Sequence, residues 1–293
     1  MTVEMVAGVR RFNRVVTQRI GALNDSFLAS DRPLSQNRVL WEIGADACDV
    51  RSLRRRLGLD SGYLSRLLRA LEAEKLIAVA SSQHDGRIRI VRLTAAGRRE
   101  VATLDQRSDD AASAILQPLS DRQRGTLIKA MADVERLLVA SMVDIGVRDP
   151  ADDGARFCLG SYFAELGARF SDGFDPAVNP LDDAEMRPPA GLLLVATLQG
   201  EPVGCGALTF LPGCIGLVKR MWVSQKVRGS GLGRRLLEEL EQRARAGGME
   251  RLQLDTQKDL AEAISLYRSS GYLEVPRFND NPYADLWFEK PLT

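Results

Sequence analysis

The sequence predicts two domains of different class: a mostly α domain at residues 1–145 that ends its first half in a helix-turn-helix and a β-hairpin, and a mixed-sheet α/β domain at 155–293. Three observations carry this. Helical periodicity runs almost unbroken to about residue 141, a stretch rich in Pro, Gly and Asp interrupts it, and strand-length apolar runs alternate with helical segments beyond. The interruption, Val147-Arg148-Asp149-Pro150-Ala151-Asp152-Asp153-Gly154, reads as a linker over 146–154. A length of 293 residues suits about two ordinary domains.

Composition narrows the class. No run of ~18 apolar residues exists, so no transmembrane helix is expected. The start, Met1-Thr2-Val3-Glu4-Met5, lacks the basic-then-apolar pattern of a secretory leader. Cys48, Cys158, Cys205 and Cys214 are scattered with no Cys-x-x-Cys pair, which argues against a metal site or a disulfide framework. A cytoplasmic chain is expected. Net charge is only +1, yet residues 51–99 hold twelve basic and four acidic side chains, whereas residues 146–293 hold 17 basic and 21 acidic. One compact basic segment on an otherwise acidic chain points to a polyanion there; from charge alone, a solvated face is the other reading.

The first domain opens on an amphipathic stripe, Val9, Phe12, Val16, Ile20 and Leu23, and closes on another, Leu127, Met131, Val134 and Leu138. Between them, helical patterns at 35–44 and 50–57 lead to the tight turn Gly58-Leu59-Asp60. Ser61 reads as the N-cap of a helix running to Glu74. Leu64, Leu67, Leu68 and Leu71 share its core face; Tyr63, Arg66 and Arg69 lie opposite. A helix with small polar residues at its start, Ser61 and Ser65, and outward arginines suits docking in the DNA major groove. Asp85-Gly86 then marks a hairpin tip, with Arg87 and Arg89 beside it.

This half resembles the MarR family, a winged helix-turn-helix, through its Asp-x-Arg wing element (Asp85, Arg87) and the Leu93-Thr94-Ala95-Ala96-Gly97 that follows. The resemblance covers residues 5–142 and implies a double-stranded DNA partner met by Ser61, Tyr63, Ser65, Arg66, Arg69, Arg87 and Arg89. It also implies a homodimer formed through the flanking helices 3–29 and 95–142. His84, the only histidine, sits at the wing tip and reads as a solvent-exposed or phosphate-contacting residue.

In the second domain a helix at 155–170 and a Pro-rich polar stretch precede strands at 192–198, 203–210 and 218–223. The last runs into Arg228-Gly229-Ser230-Gly231-Leu232-Gly233-Arg234, a glycine-rich turn that opens a helix at 231–246. Free amides at such a helix start converge on anions, and glycine lets a phosphate approach the backbone. By itself the turn also reads as a glycine cap on a basic helix start. The spacing is not that of a dinucleotide fold, and the Gly-Lys-Ser/Thr of a nucleotide-hydrolysing loop is absent. A strand at 252–254, a helix at 259–269 and a strand at 285–289 complete the pattern.

The turn resembles the Arg/Gln-x-x-Gly-x-Gly/Ala element of the GNAT superfamily of N-acetyltransferases, over roughly residues 155–290. A second element agrees: Ala263-Ile264-Ser265-Leu266-Tyr267-Arg268-Ser269-Ser270-Gly271-Tyr272 is similar to the superfamily's Ala-x-x-Leu-Tyr-x-x-x-Gly-Phe/Tyr. The resemblance implies acetyl-CoA as co-substrate, a primary amine as acceptor and no metal. It implies that Arg228, Gly229, Ser230, Gly231, Leu232, Gly233 and Arg234 bind pyrophosphate, with Arg228 as a cation at the entrance. Met221, Trp222 and Val223 would hold the pantetheine arm and the thioester through their backbone, and Tyr267 would protonate the departing sulfur. A tyrosine packed in the core is the other reading of Tyr267.

Many relatives carry a Glu on the strand before the turn; here Gly216-Leu217-Val218 has no acid, leaving Asp255, Glu185 or a water chain as base. In the tail Asn279-Asp280-Asn281-Pro282-Tyr283, Asp280 and Tyr283 are candidate acceptor contacts, with Asp285 beside them; a turn capped by Asn and Asp is equally consistent. The expected function is an N-acetyltransferase joined to a dimeric DNA-binding regulator. The alternatives are a regulator whose second domain only senses acetyl-CoA or a small ligand, and an acetyltransferase whose first domain serves dimerisation alone.

Overall fold

In the computed structural model of the chain, residues 2–21, 32–82, 85–170 and 173–292 are described. The chain divides into two units, Met1–Ala130 and Met131–Thr293. The first contains α1 (Val3–Arg19), α2 (Leu34–Ile43), β1 (Cys48–Asp49), α3 (Val50–Leu57), α4 (Ser61–Ala73), β2 (Ile77–Ser81), β3 (Arg89–Leu93) and α5 (Ala95–Leu116); α6 (Asp121–Ser141) begins in it. Leu64, Leu67, Leu68 and Leu71 of α4 are all buried, against Val39, Leu40 and Leu53 of the two preceding helices. Each fully buried leucine contributes about 1.5–3 kcal/mol.

The helix starts one residue before the expected cap. Asp60, not Ser61, takes the extended cap conformation, and its carboxylate accepts the Tyr63 amide at 2.8 Å. A carboxylate reaches the third amide as well as a hydroxyl does and adds favourable charge at the positive end of the helix. The hairpin β2–β3 pairs antiparallel from Ile77 opposite Leu93 to Ser81 opposite Arg89, and the short β1 lies on the other side of β3. His84 lies outside the described residues.

The motif after the hairpin has a packing reason. Thr94 caps α5 by accepting the Gly97 amide at 3.0 Å, and its hydroxyl donates to Lys75 O at 2.7 Å. A Cβ on Gly97 would stand 2.0 Å from Leu76 O, so only glycine lets this helix pass so near the backbone just before β2.

The second unit contains β4 (Val143–Arg148), α7 (Asp153–Arg169), β5 (Gly191–Leu198), β6 (Glu201–Leu211), β7 (Ile215–Val223), α8 (Leu232–Ala246), β8 (Arg251–Thr256), α9 (Ala261–Ser269), β9 (Leu273–Val275) and β10 (Leu286–Pro291). Its sheet has the order β4-β5-β6-β7-β8-β10-β9, and only β7 and β8 pair parallel. Strand alternation sends Leu193 and Val195 into the cluster with Ala155, Cys158 and Leu159 of α7. Leu192, Leu194 and Ala196 join Leu232, Leu236, Leu237 and Leu240 of α8. Both faces of β5 are therefore covered, which explains its near-continuous apolar run.

Residues 146–154 do not form a free linker. Val143–Arg148 alternates apolar and polar residues and pairs antiparallel with β5, and α7 begins at Asp153. Only the intervening turn, where the Asp149 carboxylate accepts the Ala151 amide at 2.8 Å, matches the Pro/Gly/Asp signal. Arg235 of α8 anchors the start of β4 by donating to Val143 O at 3.0 Å and to Ala140 O.

Gly97→Ala should destabilise the first unit by about 1–3 kcal/mol through overpacking against a carbonyl that cannot rotate away. A urea titration that leaves the midpoint unchanged would contradict this reading of the motif.

Candidate functional site

Strands β7 and β8 pair only where Ile215, Gly216 and Leu217 meet Arg251, Leu252 and Gln253. Beyond Leu217 they part, and the β8-facing edge of β7 runs on without a ladder partner. On its other side β7 is bulged. Cys205 faces Trp222 but Ala207 faces Lys219, so β7 carries an extra residue opposite Gly206. Arg220 absorbs the bulge at φ 55°, a left-handed conformation that costs a non-glycine residue about 1–3 kcal/mol and collects at functional sites.

The strand leads by a short 3₁₀ turn into Arg228-Gly229-Ser230-Gly231 and the start of α8. Gly231 caps the helix in the left-handed region at φ 86° with no side-chain bond. The first helical bond is from Arg235 N to Gly231 O, at 3.1 Å, which leaves the amides of Leu232, Gly233 and Arg234 without a helical acceptor. Nothing lies within 4 Å of where a Gly231 Cβ would stand, and the buried Ser230 Oγ has no partner among the described residues. Three amides, an orphaned hydroxyl and open space form a donor set that fits phosphoryl oxygens. Arg234 is not part of it by its side chain, which donates to Ser269 Oγ at 2.8 Å and to Ser270 Oγ, holding α8 against the end of α9.

Where β7 and β8 part, a pocket of about 90 Å³ opens. Tyr267 enters it from α9, Asp255 from β8, Lys219 and Arg220 from the bulge, and Tyr162, Phe170, Phe174 and Tyr283 give it aromatic walls. Tyr267 is 6% exposed, and burial, helped by the nearby Tyr162 and Asp255, pushes its phenol well above the ordinary range. An ordinary phenol is already a donor at neutral pH, and this shift keeps Tyr267 one well into the alkaline range. Burial pulls the Lys219 ammonium below its ordinary value; Arg220 adds to this, and Asp255 and Glu185 oppose it.

Three expected carboxylates sit elsewhere. The Asp280 side chain is fully exposed and pairs with Arg277 at 2.8 Å, away from the pocket lining. The residues that turn inward are its neighbours: Asn279 Nδ2 donates to Asp255 Oδ2 at 2.8 Å, and Asn281 Nδ2 donates to Asp255 Oδ1. Asp285 accepts the Lys258 amide, and Glu185 accepts the Asp182 amide in a capping box, so neither faces the pocket. Arg228 is no free cation: it donates to Val223 O at 3.0 Å and to Glu165, which also accepts the Trp222 indole N–H at 3.0 Å. Tyr283 does line the pocket, its hydroxyl accepting the Asp175 amide at 2.9 Å.

In the first unit, Ser61, Arg66 and Arg69 lie exposed on α4, with Ser65 and Tyr63 half-buried beside them. Arg66 stacks over the Tyr63 ring at 5.6 Å. Arg87 and Arg89 are exposed at the hairpin, where the Asp85 carboxylate accepts the Arg87 amide at 2.9 Å and shapes the turn. Among the described residues no carboxylate pairs with Arg66, Arg69, Arg87 or Arg89, and the same holds for Arg51 and Arg54 of α3, which periodicity did not single out. These cations are available to a polyanion.

Comparison with known proteins agrees with both halves. A model of the acetyltransferase (GNAT) family matches residues 160–272, and one of the MarR family matches residues 30–88. An IAA acetyltransferase of Azospirillum brasilense is 40% identical over 134 residues, 44% of this chain and 86% of that protein. An uncharacterised N-acetyltransferase of Schizosaccharomyces pombe is 32% identical over 146 residues, 48% of this chain and 88% of its own length. Among solved structures, a GNAT-family acetyltransferase of Staphylococcus aureus is 16% identical with a TM-score of 0.46, over 52% of this chain and 99% of that one.

The burial of Tyr267 has a spectroscopic consequence. The absorbance difference at 295 nm between the wild type and Tyr267→Phe should stay flat through pH of about 10, where an ordinary tyrosine is half-ionised. A phenolate step near that pH would show the hydroxyl to be solvated.

Proposed function

Because the chain belongs to the GNAT acetyltransferase family and carries a MarR-family domain ahead of it, we propose that it is an acetyl-CoA-dependent N-acetyltransferase for a primary amine, joined to a dimeric DNA-binding regulator. The observation that carries the enzymatic part is that the glycine turn packs against the helix that bears Tyr267: a Cβ on Gly233 would stand 3.4 Å from Leu266, and the adjacent, buried Tyr267 lines the pocket between β7 and β8.

When bound, acetyl-CoA brings an activated acetyl thioester. The amides of Leu232, Gly233 and Arg234 and the Ser230 hydroxyl bind its pyrophosphate. The unpaired β7 edge at Met221, Trp222 and Val223 binds the pantetheine arm and polarises the thioester oxygen through an amide. Tyr267 delivers its phenolic proton to the sulfur as the acetyl group leaves. Gly216-Leu217-Val218, the stretch where many relatives hold a Glu, is buried and supplies no acid, so the amine must lose its proton to Asp255 or to water. Asp255 has the better claim, since it faces the pocket and Glu185 does not.

The first unit supports the regulatory part. Its unpaired arginines on α4 and the hairpin suit phosphates on either side of a groove-docked helix. Val3, Met5, Val9 and Phe12 of α1 are exposed apolar side chains, as expected of a helix that a second copy covers.

Turnover with a broad amine panel tests the enzyme: Tyr267→Phe should lower kcat by about 10²–10⁴-fold with acetyl-CoA binding retained. Gly231→Glu should abolish acetyl-CoA binding by calorimetry in a variant whose circular dichroism is unchanged, since a carboxylate then occupies the phosphate position. For the first unit, Arg66→Ala and Arg87→Ala should each weaken DNA binding and reduce the slope of log K against log salt by about 1. Binding that does not respond to salt would remove the regulator from the proposal.

A further inference from the structure

The pocket beyond the thioester position separates charge in a way that acetyl transfer alone does not require. Arg220 is 7% exposed, held by a hydrogen bond to Asn179 O at 2.8 Å and by the rings of Phe163 and Tyr162 at 5.0 and 5.7 Å. Lys219, next to it, reaches Asn179 Oδ1 at 3.4 Å. Among the described residues neither cation has a carboxylate within ion-pairing distance, and both line the pocket. A desolvated guanidinium on a strained backbone, beside a half-buried ammonium, is costly unless an anion arrives to meet it. No part of the transfer chemistry assigned above uses either group.

The opposite wall carries the opposite sign. Asp255 ends β8 in the same pocket, its oxygens oriented by Asn279 and Asn281 rather than neutralised by a cation. Two cations on β7 facing one carboxylate on β8 complement a molecule with an anionic and a cationic end. A pocket of about 90 Å³, well below the few hundred Å³ that drug-sized ligands fill, limits that molecule to a compact one. Guanidinium and carboxylate match in their paired hydrogen-bond geometry.

We propose that the acceptor is a small amine that also bears a carboxylate, an amino acid or a close analogue, with Lys219 and Arg220 binding the carboxylate and Asp255 receiving the amine's charge. This rests on the acetyltransferase reading of the same pocket and names its substrate class. Anion binding also offsets the repulsion and burial that depress Lys219.

The test compares the standard L-amino acids with their carboxamides, which keep the amine and the side chain and lose the charge. With acetyl-CoA and the full-length chain, kcat/KM should favour the free acids by about 10- to 100-fold. Lys219→Gln should lower that ratio toward one, largely by raising KM for the acids. Arg220→Lys should keep part of the preference that Arg220→Gln loses, and Lys219→Gln carries the test if the buried arginine variants do not fold. Equal turnover of acids and carboxamides by the wild type overturns the carboxylate site and leaves acetyl transfer standing. If nothing is turned over, calorimetry with the same compounds in the presence of CoA decides. Binding of acids over carboxamides, lost in Lys219→Gln, supports the site while the enzymatic reading fails; no binding of either overturns both.

Discussion

The second unit is organised around one broken ladder. Parallel pairing between β7 and β8 stops at Leu217, and the pocket lined by Lys219, Arg220, Asp255 and Tyr267 opens beyond it. A sheet interrupted in this way exposes a row of backbone amides and carbonyls that must find other partners. Part of the row is satisfied within the chain, as where Val223 O accepts from Arg228. The rest faces a pocket. The bulge at Arg220 works with the break: it shifts the register against β6 by one residue, between the Lys219–Ala207 pair and the Trp222–Cys205 pair. Without it, Lys219 and Arg220 would alternate between the two faces of an ordinary strand.

The same break explains why a helix start and a helix end meet there. α8 begins where β7 leaves the sheet, and α9 follows β8 on the other side of the gap. Arg234 joins them by donating to Ser269 and Ser270. The Tyr267 carbonyl accepts the Tyr272 amide at 3.1 Å as the helix closes, and Tyr267 itself packs against Tyr272 and Phe288. The aromatic packing that makes Tyr267 look like a core residue is also what dries its hydroxyl and pushes its ionisation to higher pH. Core and site are one reading here.

The glycine turn is legible because its glycines serve the backbone: spacing alone encodes a turn that opens a helix. The leucine face of α4 was legible for a related reason, since burial imposes a strict period. Side-chain direction in irregular segments was not. Nothing in Asn279-Asp280-Asn281 says that the two asparagines turn in to Asp255 while the aspartate turns out to Arg277. Glu165 lies far along the chain from Arg228, so their pairing has no local signal. β4 had one, the alternation Val143-Asp144-Ile145-Gly146-Val147-Arg148, but it follows a helix directly and ends in turn residues, which made the boundary read as a linker. Lys219 and Arg220 carry no such signal, because two basic residues in a strand look like a solvated edge without the bulge and the burial of Arg220.

Two arginines show how burial decides what a charge can do. Arg228 pairs with Glu165 at a partly exposed position, its side chain 38% accessible, and exposed pairs of this kind are worth about 0–1 kcal/mol. Exchanging Glu165 for a phosphate would therefore cost little, so the pair does not conflict with the entrance role proposed for Arg228. Arg220 has no such freedom. It is clamped between two rings and a carbonyl, and screening by water is largely lost, so an arriving anion interacts with it far more strongly than with a surface arginine. The exposed arginine suits a group common to every turnover, the cofactor's phosphates. The buried one suits selection, because an acceptor that fails to neutralise it leaves a desolvated charge unpaired.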